Sequence, residues 1–255
     1  MKTLYLTQCA GGLPSFYKWM GGDYVLLSFI QKTAETHLYA PGSTWTEGRN
    51  LLREYVLSDS RLLSYDYFCF MDGDLIAESG MNWRDLEREI YKRNCKIALP
   101  RLWNYSRENR GIGVDYLDSK NPSINPDKYL YQTVDWFDAA CNYFSREVFI
   151  GDLIFPYWQR FDSSSWQTSQ FVLIVLSNHH YKNEVMQFNS FKIPENIEHS
   201  DYPKNAKFAD AYCEVLDSLK LDSISLSDVR GFCRVGACGR LIERLSKWWG
   251  RITIR

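Results

Sequence analysis

Two aspartates separated by one glycine, Asp72-Gly73-Asp74, follow directly on the apolar run Tyr67-Phe68-Cys69-Phe70-Met71. Burying two unpaired carboxylates within such a run is too costly for packing to be their purpose. They are therefore expected at its end, facing a cleft. Paired carboxylates suit a hard divalent cation, and Mg²⁺ or Mn²⁺ sites commonly combine one or two of them with substrate phosphates. A cation held there would stabilise the charge of a departing diphosphate as a Lewis acid. The alternative reading of so short a motif is a solvated turn in which Asp72 caps the next segment. Its position after an apolar strand favours the metal site.

Other residues could join this chemistry. Arg49 and Arg53 lie one helical turn apart and could face a diphosphate, a task suited to guanidinium, although a solvated helix face explains the same spacing. Trp103, Tyr105, Tyr116, Trp136, Trp158 and Trp166 offer aromatic faces to sugar rings or nucleobases, or simply fill the core and its rim. Gly11-Gly12 would let backbone approach a nucleotide closely. The pair is not a GxGxxG, so the dinucleotide fingerprint is absent.

The elements that must position these groups alternate between strand and helix through the first hundred residues. Thr3 to Thr7, Tyr24 to Ile30 and Tyr67 to Met71 read as buried strands, and Lys96 to Leu99 as a fourth that Pro100 stops. Leu13 to Met20 reads as a loop or short helix. Thr44 or Thr46 caps a helix running to about Ser58, and Asn82 caps another on which Trp83, Leu86 and Ile90 share one face. This alternation predicts an α/β fold with a mainly parallel central sheet flanked by helices. Ligands of such sheets gather beyond the carboxyl ends of the strands, where Asp72 and Asp74 fall. From Leu102 to Leu130 the pattern gives way to Asn, Ser, Gly, Pro and Tyr, as in a long loop over a site. Thr133 to Phe144 reads as strand, Arg146 to Ile150 as the start of a helix, Trp166 to Ser177 as a buried helix, and Lys204 to about Leu219 as helix again.

Composition narrows the class. The 255 residues, 45% of them apolar and 16% aromatic, are enough for one large α/β domain with a substantial core. A net charge of -1 gives no global field for nucleic acid. Seven scattered cysteines without close pairs argue against a disulfide framework and against a zinc site, and suggest a reducing, cytoplasmic setting. The first residues lack a secretory core, and the longest apolar run, Phe171 to Leu176, is far too short to span a bilayer.

The last 35 or so residues differ in character. Leu241, Leu245, Trp248, Trp249 and Ile252 form one apolar stripe at helical spacing, with Arg240, Arg244, Lys247 and Arg251 beside it. A basic amphipathic helix with interfacial tryptophans suits an anionic membrane surface at the inner face of the membrane. A helix docked on its own domain or on a second subunit is the competing reading. The division expected is a domain over residues 1–220 and a basic amphipathic extension over 221–255.

The stretch Leu63 to Leu75, ending in Met71-Asp72-Gly73-Asp74-Leu75, resembles the DxD strand of GT-A glycosyltransferases. The wider layout is similar to a group of GT-A-like plant and bacterial proteins, in which a later segment ends in Phe-Ser-Arg, here Phe144-Ser145-Arg146. The resemblance covers about Leu4 to Pro203 and is one of layout, with few identities. It implies a GT-A-like single domain whose first half binds a nucleotide-sugar donor and whose second half binds a glycan or lipid-linked acceptor. By that resemblance Asp72 and Asp74 hold Mn²⁺ or Mg²⁺ and the diphosphate. Of the four histidines, His199 is best placed to serve as a further metal ligand. The related layout carries an aspartate shortly after a tryptophan, whereas Trp166-Gln167-Thr168-Ser169 has no acid. Asp138 and Asp162 are then the candidate catalytic bases for an inverting transfer. Two other readings stand beside this one. A non-catalytic, membrane-associated sugar- or nucleotide-binding protein would keep the fold alone. A metal-dependent phosphotransferase of the haloacid-dehalogenase type would place Asp-x-Asp-Gly-Thr near the chain start, unlike Asp72-Gly73-Asp74-Leu75-Ile76.

Overall fold

The computed structural model describes residues 1–75, 82–104, 130–134, 137–163, 165–195 and 207–220. The strands are β1 (Thr3–Cys9), β2 (Asp23–Ser28), β3 (Leu38–Tyr39), β4 (Tyr67–Asp72), β5 (Ile97–Asn104), β6 (Tyr131–Thr133), β7 (Cys141–Ser145) and β8 (Val185–Glu195). The helices are α1 (Tyr17–Met20), α2 (Trp45–Leu57), α3 (Trp83–Arg93), α4 (Arg146–Ile150), α5 (Trp166–His180) and α6 (Phe208–Leu219). The strands form one eight-stranded sheet in the order β3-β2-β1-β4-β7-β5-β8-β6. It is an α/β domain with helices on both faces of the sheet, as the alternation of elements predicts.

The first four strands are parallel, with β1 between β2 and β4. The chain moves outward on one side from β1 to β2 and β3, then returns to the other side for β4. Strand order thus reverses between β1 and β4, and a crevice at the carboxyl ends of these two strands follows from that reversal. The register sets Gln8 opposite Asp72. Beyond β4 the sheet is mixed, because β7 pairs antiparallel with both β4 and β5, while β5 and β8 run parallel.

Period-two alternation sorts β4 between the two faces. Tyr67 and Cys69 point toward the side where α3 packs: the Tyr91 ring lies 5.4 Å from that of Tyr67. On the same side the Tyr5 hydroxyl donates to Glu87 Oε1 at 2.7 Å. Phe68 and Phe70 point the other way, toward α2 and α4, with Phe68 stacked on Phe149 at 4.0 Å. Asp72 continues this second row and so emerges on the α2 side of the sheet.

Two local expectations are corrected. Pro100 does not end β5, which runs on to Asn104, and the pairing with β8 instead slips immediately after it, from Pro100↔Phe188 to Arg101↔Lys192. A proline lacks the ladder donor, and a bulge accommodates that loss without stopping the strand. The stretch from Thr133 to Phe144 is not one strand. Asp138 Oδ1 accepts from the Ala140 amide at 2.9 Å, a local side-chain turn that separates β6 at the sheet edge from β7 at its centre. Among the described residues no helix is long and apolar enough to cross a membrane.

Candidate functional site

The crevice between β1 and β4 opens into a cavity of about 470 Å³, within the range of small-molecule sites. Its floor is the end of β1 and the following turn, Gln8 to Gly12, together with Asp72, Gly73 and Asp74. One wall is the start of α2, Ser43 to Trp45, and Asp138, Trp166 and Phe29 close the rest. Among the described residues the cavity lining holds three carboxylates and no cationic side chain.

Local sequence explains why these residues meet. A Cβ on Gly73 would come within 2.8 Å of both Cys9 Cβ and the Gln8 carbonyl oxygen, so the residue between the two acids must be glycine for β4 to end against β1. Gly12 turns the chain after β1 with φ +73°, a conformation that favours glycine. Thr44 caps α2 in a reciprocal box with Glu47, which fixes the helix start at the cavity wall. Asp138 stands on the turn before β7, whose Ala140 carbonyl accepts from the Asp72 amide at 2.8 Å.

Asp72 is held firmly on one side. Its Oδ1 accepts from Arg49 Nη2 at 2.6 Å and from Trp45 Nε1 at 3.0 Å. Arg49 is only 2% exposed. It also donates to the Ala139 carbonyl at 2.8 Å and to the Tyr157 hydroxyl at 3.4 Å, and its guanidinium lies 4.2 Å from the Trp45 ring centre. Burial alone would lower the Arg49 pKa, but the charge of Asp72 and the hydrogen bonds that Arg49 donates to Asp72 and Tyr157 outweigh it and hold the group above its ordinary value. The cation stays charged, and a buried cation of this kind requires its carboxylate.

The other expected site residues divide. Asp74 is exposed at the cavity floor. Asp138 also lines the cavity, from the turn that leads into β7 beside the end of β4. Asp162 does not line it: its carboxylate accepts from the Thr44 and Ser169 hydroxyls and ties the start of α2 to α5. Arg53 does not line it either. Its Nε donates to the Phe149 carbonyl at 2.9 Å, and its Nη2 reaches Ile150, Gly151 and Asp152. Those are the open carbonyls at the end of α4, which Arg53 caps. Among the aromatic candidates Trp166 reaches the cavity, whereas Trp158 packs on Phe161 and Arg160. Tyr105, Tyr116, Trp136, His199 and the extension from 221 lie outside the described residues, as do residues 105–129 of the expected covering loop. His179 and His180 end α5, and His37 accepts from the Leu26 amide at 3.2 Å.

Sequence reading missed Trp45 and Phe29. Trp45 had a usable signal: it precedes Arg49 by one helical turn, the spacing at which two side chains on a helix meet. Its ring lies 5.8 Å from that of Trp166. The two indoles stand beside the carboxylates.

The donor set fits a hard cation of the Mg²⁺ or Mn²⁺ type only in part. Asp72, Asp74 and Asp138 offer carboxylate oxygens, the right chemistry. Among the described residues, however, no three His, Cys, Asp or Glu side chains are grouped closely enough to hold a metal by themselves. Two carboxylates completed by ligand phosphates remain compatible with these residues.

The eight-stranded sheet flanked by helices, with its order reversing between β1 and β4, is a GT-A-like fold. A particular solved structure with this fold is Staphylococcus aureus TarS 1-349, at a TM-score of 0.54 and 10% identity over 91% of this chain and 70% of that one. A197 from STIV matches at a TM-score of 0.46 and 11% identity, covering 79% of this chain and 97% of its own. CMP:2-keto-3-deoxy-manno-octonic acid synthetase complexed with CTP matches at 0.37 and 8%, covering 87% and 100%. At 10% identity the likeness to TarS is one of fold alone. No protein-family model and no curated protein matches the sequence.

Proposed function

We propose that the protein is a metal-dependent glycosyltransferase that moves a sugar from a nucleotide-sugar donor to a glycan or lipid-linked acceptor. The observation that carries this reading is the cavity itself. At the reversal point of the sheet it combines three carboxylates, two indoles and a glycine turn, and among the described residues no cationic side chain lines it. A diphosphate in such an acidic pocket needs a counter-charge. Mn²⁺ or Mg²⁺, held by Asp74 and the cavity side of Asp72, would supply that charge and act as a Lewis acid on the leaving diphosphate. Gly11 and Gly12 leave room for the nucleotide to approach the backbone, and the exposed parts of Trp45 and Trp166 suit a base or sugar ring.

For an inverting transfer, Asp138 is the better base. It lines the same cavity as the β4 acids, on the turn that leads into the neighbouring strand β7, and an acceptor hydroxyl attacking the anomeric carbon there would have to lose its proton. Asp162, committed to Thr44 and Ser169, acts as a brace between α2 and α5.

Equilibrium dialysis of UDP, GDP, CDP and dTDP with Mn²⁺ tests the donor site. Asp74→Asn should abolish metal-dependent retention of the favoured nucleotide while leaving the fold intact, and unchanged retention overturns the assignment. Residues 221–255 are proposed to bind an anionic membrane surface and bring the site to a lipid-linked acceptor. Deleting residues 232–255 should reduce sedimentation with phosphatidylglycerol-containing liposomes, and equal sedimentation removes the anchor.

A further inference from the structure

We propose that Arg49 sets the charge of the carboxylate site, so that a divalent cation is held there together with a diphosphate and only weakly on its own. The proposal rests on the donor-site reading above.

The argument begins with where the Arg49 charge is fixed. The guanidinium is 2% exposed and meets the site's carboxylates at Asp72 Oδ1, at 2.6 Å. The Ala139 carbonyl, the Tyr157 hydroxyl and the face of Trp45 fix its position from behind. A guanidinium does not give up its proton in a protein, so this positive charge is permanent. Asp72 Oδ1 already accepts from two N–H donors, Arg49 Nη2 and Trp45 Nε1. The carboxylate that faces the cavity is therefore shared with a cation before any metal arrives.

An incoming divalent ion meets an Asp72 whose charge is largely spent and a guanidinium close behind it. Asp74 and Asp138 remain on the cavity surface, but no three ligating side chains are grouped among the described residues. Mg²⁺ and Mn²⁺ held by so few protein oxygens are ordinarily completed by phosphates. A diphosphate brings the missing oxygens and the negative charge that Arg49 has cancelled. In this arrangement the buried arginine is a positioning residue. It orients one oxygen of Asp72 and makes cation binding conditional on the leaving group, so that an empty site does not fill with metal.

The test titrates Mn²⁺ into the full chain with and without a saturating mixture of UDP, GDP, CDP and dTDP, reading tryptophan fluorescence against free Mn²⁺. The wild type should bind Mn²⁺ at least tenfold more weakly alone than with the nucleotides. Arg49→Met should tighten binding of Mn²⁺ alone by about tenfold, and Arg49→Lys, which keeps the charge, should restore weak binding. Arg49→Gln serves if the methionine variant fails to fold. Equal wild-type affinity with and without nucleotides overturns the proposal alone. So does a folded, uncharged variant that binds Mn²⁺ no more tightly than the wild type. Absence of Mn²⁺ binding in every arm overturns the donor-site reading, and this proposal with it.

Discussion

Arg49 and Arg53 sit one turn apart on the same helix, both almost fully buried, and they do different work. Arg49 faces the end of β4 and shares its charge with Asp72, a residue that reaches the cavity. Arg53 faces the end of α4 and caps three backbone carbonyls, with only the exposed Asp152 as a charged partner. The sequence offers both as diphosphate ligands on equal terms. A buried arginine points to a ligand site only through what it holds. A carboxylate at the end of a strand carries the cation's influence to a cavity, whereas helix-end carbonyls do not.

Three perturbations separate the roles of the two arginines and the packing around them. The largest effect is expected from Asp72→Ala, which leaves Arg49 buried and unpaired and should cost about 3 kcal/mol, read by urea denaturation. A loss below about 1 kcal/mol would mean that the pair is not what keeps the cation inside. The counterpart on the Arg53 side is Asp152→Ala. Asp152 is 87% exposed, and an ion pair so solvated contributes about 0.5 kcal/mol or less. That variant should also leave nucleotide retention unchanged, and altered retention would link the α4 end to the site.

The third perturbation acts on the opposite face of the sheet. Burial, followed by the hydrogen bond to Asp23, pushes the Tyr65 hydroxyl up to about 12, and burial raises Tyr67 and Tyr91 further. Unfolded tyrosines ionise near pH 10, so above that the unfolded chain releases protons that the folded one keeps. Stability is thus fully present below about pH 10 and falls as pH rises through the folded values. Urea midpoints should be flat from pH 7 to 9 and drop by pH 11. A midpoint that holds steady to pH 11 would contradict the burial of these hydroxyls.

Much of the first half was legible because its signals are local. Thr44 and Asn82 mark helix starts through their own side chains, and both cap as expected. The apolar run before Asp72 needs only its alternation to place the acid at a strand end. The second half depends on distant partners. Nothing near Asp138 announces that β7 inserts between β4 and β5, yet that insertion brings Asp138 to the cavity. Pro100 reads as a stop because the bulge that tolerates it depends on β8, some ninety residues away. Trp45 reads as an ordinary helix residue until Asp72 is seen to accept from its indole. Asp162 looks like a base until Thr44 and Ser169 are seen to hold it.

The central claim is that the β4 acids form a metal-dependent donor site. A thermal-shift series with UDP-, GDP-, CMP- and dTDP-sugars, with and without Mn²⁺, tests it on the wild type and on Asp74→Asn. Only a ligand that binds the native state raises its melting temperature. The account predicts a rise for one nucleotide class that requires Mn²⁺ and disappears in Asp74→Asn. No rise with any of them, or an equal rise in the variant, would contradict it.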